Sequence, residues 1–214
     1  METDRLIDTL AADLRPARSR MIPIRIGLVA LIGGASALTA VATYLGFRAD
    51  LATAVGSQMF WVKALYALIL AFSGFWCAER LARPAASARR GMVLGAVVVA
   101  LLFAVAVLNL LGTTPDDRLT MWLGRSWQRC PTTILILSLP TLLLSLAVLR
   151  RQAPTRLVTA GAAAGLFAGG VAASAYGLHC PETAPAFLAT WYSLGIALST
   201  VLGASLGPWI LRWR

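Results

Sequence analysis

Apolar residues along this chain do not alternate with polar ones but run in blocks of about twenty, separated by short stretches that hold most of the charge. A helix rises 1.5 Å per residue, so roughly 20 apolar residues cross the ~30 Å hydrocarbon core of a bilayer with every backbone amide paired internally. Six blocks meet that requirement, at about 25–47, 60–77, 91–111, 131–149, 157–176 and 187–211. The pattern predicts an all-α integral membrane bundle of six transmembrane helices within residues 24–214, behind a segment of different character at residues 1–23. The gaps, such as Glu79 to Arg90 and Arg150 to Arg156, are too short for a second domain.

In the first segment Leu6, Ile7, Leu10 and Leu14 fall on one helical face, while Asp4, Asp8 and Asp13, with Arg5, point elsewhere. This predicts a short amphipathic helix over residues 1–14, with Thr3 or Asp4 available as its cap. Helices that lie on lipid are usually rich in Lys and Arg on their polar face. Three aspartates favour a protein partner instead, one whose groove takes the apolar face and whose rim is basic. The first apolar run begins only near Ile24, which does not fit a cleavable signal peptide with a short basic start.

Composition sharpens this reading: the 214 residues are 58% hydrophobic and 13% charged, with a mean hydropathy of +0.75. An ordinary soluble domain carries about a quarter of its residues as charged side chains. A net charge of +10 would suggest nucleic acid in a soluble protein, but here the arginines crowd the ends of apolar runs. That placement suits lipid head groups and argues against direct nucleic-acid binding. Counted on alternate sides of the six spans, fourteen of the 19 basic residues share the side of the termini and five (Arg48, Lys63, Arg118, Arg125, Arg129) take the other. Basic residues are retained in the cytoplasm during insertion, so both termini are expected inside. Lys63, near the outward end of the second span, is expected to snorkel.

A transporter would need ionisable groups inside its spans, and the sequence offers almost none. A single histidine, His179, and scattered hydroxyls supply no catalytic triad and no ligand cluster, so neither an enzyme nor a resident cofactor is expected. What remains is a pair of similar sites, Arg129-Cys130-Pro131 and His179-Cys180-Pro181, both outward-facing in this topology. Proline after each cysteine suits the first turn of a helix, where its missing amide hydrogen costs nothing. A thiol there meets the positive end of the helix dipole, with Arg129 or His179 beside it, and is more reactive than a buried one. The two cysteines can form a permanent structural tie, a responsive disulfide if their Cα atoms lie about 5–6 Å apart, or a transient site for a soft metal ion with His179 as a third ligand, or they are unrelated thiols. Cys77, towards the opposite end, reads as a small core residue.

The chain also resembles the NrsF-type membrane anti-sigma factors of proteobacteria. The resemblance is carried by Thr3-Asp4-Arg5-Leu6-Ile7-Asp8-Thr9-Leu10, Phe60-Trp61-Val62-Lys63, Arg129-Cys130-Pro131 and Leu137-Ser138-Leu139-Pro140. It continues through Ala153-Pro154-Thr155-Arg156 and the run from Leu178-His179-Cys180-Pro181-Glu182 to Trp191-Tyr192-Ser193-Leu194-Gly195-Ile196. It implies a multi-pass protein of the bacterial inner membrane that sequesters an extracytoplasmic-function sigma factor at the cytoplasmic face. Release would follow metal or oxidative stress sensed at Cys130 and Cys180. Asp4, Leu6, Ile7, Asp8, Leu10, Asp13 and Leu14 become the candidates for holding the sigma factor. A membrane thiol oxidoreductase feeding quinone, or a small-solute or metal transporter, stands as the alternative. The first lacks its C-x-x-C pair and the second its intramembrane charges.

Overall fold

The computed structural model describes residues 2–12, 21–83 and 86–212, and among these every regular element is helical. Helix α1 spans Glu2–Ala12 and α2 spans Met21–Ala40, continuing through a π turn at Val41–Leu45. A single turn, α3, Leu51–Ala54, leads into α4, Gln58–Leu81, and then α5, Arg89–Leu111. After the short α6, Pro115–Leu123, come α7, Cys130–Arg150, and α8, Leu157–Tyr176. The turn α9, Pro185–Phe187, passes through a second π segment, Leu188–Tyr192, into α10, Ser193–Ile210.

Six helices are long and apolar enough to cross a membrane, at Met21–Leu45, Gln58–Leu81, Arg89–Leu111, Cys130–Arg150, Leu157–Tyr176 and Pro185–Ile210. The observed spans run a few residues beyond several of the expected limits, because backbone hydrogen bonding continues past the last apolar residue. At the end of α4, for example, Glu79 pairs with Arg83 one turn on, across the helix terminus. Absent from the sequence reading are the single turn α3 and the longer α6. Pro115 in its first turn fixes φ, and Asp116 and Asp117 complement its dipole.

Helix α8 is the axis of the bundle, in contact with α2, α4, α7 and α10. Its small residues explain why. A Cβ on Gly161 or Gly165 would run into the backbone of α10 at Gly203 and Ser199, and one on Gly170 into the backbone of α4 at Ala71. Lipid offers helices no hydrophobic reason to associate, so such backbone-to-backbone approach supplies the packing contacts that hold them together. On the last helix, Gly203 and Gly207 are seated on α8 and Gly195 on Ile134 of α7. Cys77 is a core residue, its thiol donating to the Ala88 carbonyl at 3.7 Å and filling the space left by Gly91. Helices α2 and α5 lie at the periphery, where Leu31, Ile32, Leu101 and Leu108 are all more than half exposed.

Arg80, Arg83, Arg89, Arg90, Arg150, Arg151 and Arg156 gather at one end of the bundle, on the termini of α4, α5, α7 and α8. Cys130 and Cys180 lie at the other end.

Candidate functional site

The cysteine-bearing end is organised by the segment Leu178–Glu182, which leaves α8 and folds back over the bundle as a strap. Four attachments hold it. The Arg48 backbone N–H donates to the Leu178 carbonyl at 3.1 Å. His179 Nδ1 lies 2.8 Å from the carbonyl of Gly46, a residue whose φ of +76° ends the first π turn. Lys63 Nζ donates to the carbonyls of Cys180, at 2.8 Å, and Glu182, at 3.2 Å. Finally, Glu182 Oε1 accepts from the Arg125 backbone N–H at 2.7 Å.

The last contact depends on Gly124. Its φ is +59°, and a Cβ there would meet Phe187 and the Glu182 carboxylate at 2.7 and 2.8 Å. Glycine alone lets the 124–129 loop close over Glu182. Glu182→Ala is therefore expected to free that loop and lower the melting temperature in detergent by about 2–4 °C, roughly 1 kcal/mol in a chain of this size. Glu182→Gln, which keeps an acceptor oxygen, should recover most of the loss, as differential scanning of both variants would show.

Beneath the strap both thiols are fully buried, within one core cluster. The rings of Tyr176 and Tyr192 are buried in the same cluster, and the Tyr192 hydroxyl has no hydrogen-bond partner there. Ser126 Oγ lies 4.0 Å from Cys180 Sγ. The rings of His179, Tyr176 and Tyr192 pack in that order, with centroids 5.6 and 5.8 Å apart. Trp122, Trp127 and Trp191 cover the neighbouring surface, and Trp191 Nε1 donates to the Trp122 carbonyl at 2.9 Å. The π segment before α10 turns Leu188, Ala189 and Tyr192 inward together.

Three expectations from the sequence are corrected here. Cys130 does open a helix, with Pro131 in its first turn, but Pro181 does not, since α9 begins only at Pro185. Instead, Cys180 extends the end of α8, its N–H donating to the Tyr176 carbonyl at 3.0 Å. Neither thiol is an exposed helix-cap thiol, because the strap and the tyrosines seal both from water. Nor does Lys63 snorkel: the residue is only 3% exposed, and its ammonium turns inward over the Tyr192 ring, 4.8 Å from the centroid. Two backbone carbonyls and a ring face outcompete the bilayer surface for it.

The structure thus brings together Cys130 and Cys180 and sets His179 at their edge, its Nδ1 engaged by Gly46. Among the described residues no group of three or more His, Cys, Asp or Glu side chains is assembled as a ligand set. Sequence reasoning missed Lys63 and Arg48 as parts of the site. Arg48 reaches it from a bidentate pair with Asp50, both contacts 2.7 Å, and its Nη1 lies 3.5 Å from the Cys180 carbonyl. That pair raises the pKa of Arg48 and holds the Asp50 carboxyl below its ordinary range. The pairing is therefore complete at neutral pH and is lost as the pH falls through the lowered Asp50 value. A usable signal was present for Lys63: it is the only lysine in a chain that uses arginine for every other cation.

Of the candidate partner-binding residues, Asp4, Leu6, Ile7, Asp8 and Leu10 fall within α1, which begins at Glu2, so that Thr3 and Asp4 lie inside its first turn. Ile7 is 57% exposed and Asp8 is exposed. Asp13 and Leu14 lie outside the described residues.

Comparison with known proteins gives a consistent result. The family model described as negative regulator of sigma F matches residues 10–213. The chain is 48% identical over 215 residues to the anti-sigma-F factor NrsF of Caulobacter vibrioides, covering all of both chains. It is 36% identical over 213 residues to the probable anti-sigma-F factor NrsF of Azospira oryzae, again covering all of both. No solved structure matches the chain.

Proposed function

Because this chain belongs to the NrsF family of negative regulators of sigma F, we propose that it is a membrane-bound anti-sigma factor whose hold on its sigma factor is set by the buried cysteine pair. The partner in this reading is a sigma factor of the F type, of the extracytoplasmic-function class, held at the cytoplasmic face of the inner membrane. The arginine-rich end of the bundle is then cytoplasmic, in keeping with retention of basic residues there. Helix α1, with its exposed Ile7 and Asp8, supplies a face that the bundle does not use for itself.

The observation that carries the proposal is the burial of both thiols under a strap fastened to three separate parts of the fold. A two-electron oxidant would join the sulfurs and release two protons. A soft metal ion would instead displace the protons and hold two thiolates. Either product has a different shape and charge from two packed thiols, so the site cannot react and keep its present packing. The Leu178–Glu182 strap and the helices fastened to it are the elements that would move. About 3 kcal/mol of coupling between this end and the sigma-binding surface changes affinity more than a hundredfold.

Co-purification of sigma factors with the full-length protein and with a version lacking residues 1–16 tests where the partner binds. Recovery by the full-length protein alone is expected. Equal recovery by both would move the binding surface to the helix ends and loops.

A further inference from the structure

Helix α5 packs against α4 and, at the strap end, against α9 and the second π segment, whereas α10 packs against α7 and α8. Below that end α5 and α10 part, and a groove of about 650 Å³ opens between them. Small residues line it, Gly95, Ala96 and Ala100 on α5 and Ala197 on α10, with Leu166 of α8 beneath. The polar side chains that border it are already satisfied. Tyr66 and Ser193 hydrogen-bond to each other near the strap end, and the Thr200 hydroxyl donates to the Ile196 carbonyl at 2.8 Å. A second cavity, of about 280 Å³, shares Met92, Leu166 and Thr200 with the groove and carries it on to the arginine-rich end, where Ser87, Thr159 and Arg156 line it. From Ala88 to Phe103 along α5 the two cavities run roughly 22 Å, longer than the ~15 Å of hydrocarbon in one leaflet.

Charge identifies what fits. Arg156 is exposed and forms no ion pair among the described residues, and Glu79, the carboxylate on the bundle at this end, is taken by Arg80 and Arg83. Arg89 and Arg90, both exposed, open α5 beside it. A channel that is apolar along its length and ends at cations lacking a carboxylate matches an amphiphile with one anionic head. A membrane helix of a second copy, inserted in the same sense, would instead set its own arginines against these, and like charges repel. We propose that the groove between α5 and α10 is a binding site for an anionic phospholipid, with an acyl chain lying between Gly95 and Ala197 and the phosphate at Arg156 and the start of α5. Basic pockets between membrane helices take anionic head groups in this way. The chain also completes the packing of α5, whose neighbour along this stretch is α4.

The test is native mass spectrometry of delipidated full-length protein in detergent, titrated with phosphatidylglycerol or with phosphatidylethanolamine carrying the same chains. The expected result is one phosphatidylglycerol retained per protein, about tenfold or more in preference to the zwitterionic lipid. Arg156→Gln should weaken its retention by about fivefold, the effect of one basic residue near an anionic head group. Ala197→Trp, which fills the groove from an exposed position, should abolish it. Inorganic phosphate should not displace the lipid, because burial of the acyl chain supplies much of the affinity. Equal retention of the two lipids, or displacement by phosphate, would overturn the proposal. So would an equal loss in Arg151→Gln, which sits at the same end of the bundle but on α7, since attraction would then be diffuse and not that of a site. A dimer on size exclusion that Ala197→Trp converts to a monomer would make the groove an interface between copies and likewise overturn it. If Ala197→Trp does not fold, the lipid preference and the contrast between Arg156→Gln and Arg151→Gln decide the question.

Discussion

Gly165→Val is expected to leave little or no folded protein in detergent. A Cβ at this position would stand 2.7 Å from Thr200 Cα and 2.9 Å from the Ser199 carbonyl carbon, so the obstruction is the backbone of α10 and not a side chain that can turn away. Overpacking of a core that can relax costs about 1–3 kcal/mol. Here relief requires α8 and α10 to part along the seam that also seats Gly161, Gly203 and Gly207. Close packing does most of the work of helix association in lipid, so loss of this seam removes the central contact of the bundle. Gly27 provides the control, because a Cβ there would meet nothing within 4 Å. Gly27→Ala is expected to be neutral or to stabilise α2 by up to about 1 kcal/mol. Size-exclusion profiles and thermal melts of the two variants would separate the effects.

The contrast between these glycines also marks how far the sequence can be read. Six spans are visible in the sequence because about twenty apolar residues in succession have few other uses, and the glycine clusters on α8 and α10 announce close approach. Helix α6 is not visible. Its nine residues mix Asp116, Asp117 and Arg118 with Leu119 and Trp122, a pattern that nearest-neighbour reasoning leaves as a loop. The cysteines are the more instructive case. Cys-Pro occurs twice and suggests two helix starts, yet only Cys130 opens a helix, whereas Cys180 closes one. Their burial arises from the strap, whose path is fixed by contacts from Gly46, Arg48, Lys63 and Arg125, all far away in the chain. Long-range attachments of this kind leave no periodic trace. For the same reason Lys63 reads as a snorkelling residue until Tyr192 and the two carbonyls are seen around it.

Cys180→Ser is expected to leave the sigma factor held but no longer releasable. Serine preserves the size of the side chain and a hydroxyl donor beneath the strap, so the resting packing should change little. A hydroxyl neither forms a disulfide nor binds a soft ion. Induction of sigma-dependent transcription by a soft metal ion or a thiol oxidant should then fall from about tenfold or more to none, a coupling within the usual range for two linked sites. Cys130→Ser should do the same, and the double substitution should be no worse than either single one, because the two thiols act as one unit. Cys77→Ser, at the opposite end and packed against Gly91 and Ala88, should remain inducible. A transcriptional reporter in cells carrying each variant gives all four results. Equal induction in all of them would remove the cysteines from the mechanism, and constitutive transcription in Cys180→Ser would mean that the thiol is needed to hold the sigma factor.

The most direct test of the account is the amount of sigma factor retained on the purified full-length protein before and after exposure to cadmium ion or diamide. The account predicts one sigma factor bound at rest and its release on treatment, with no release from the Cys130→Ser, Cys180→Ser protein. A sigma factor that stays bound after both cysteines have demonstrably reacted, or none bound in either state, would contradict it.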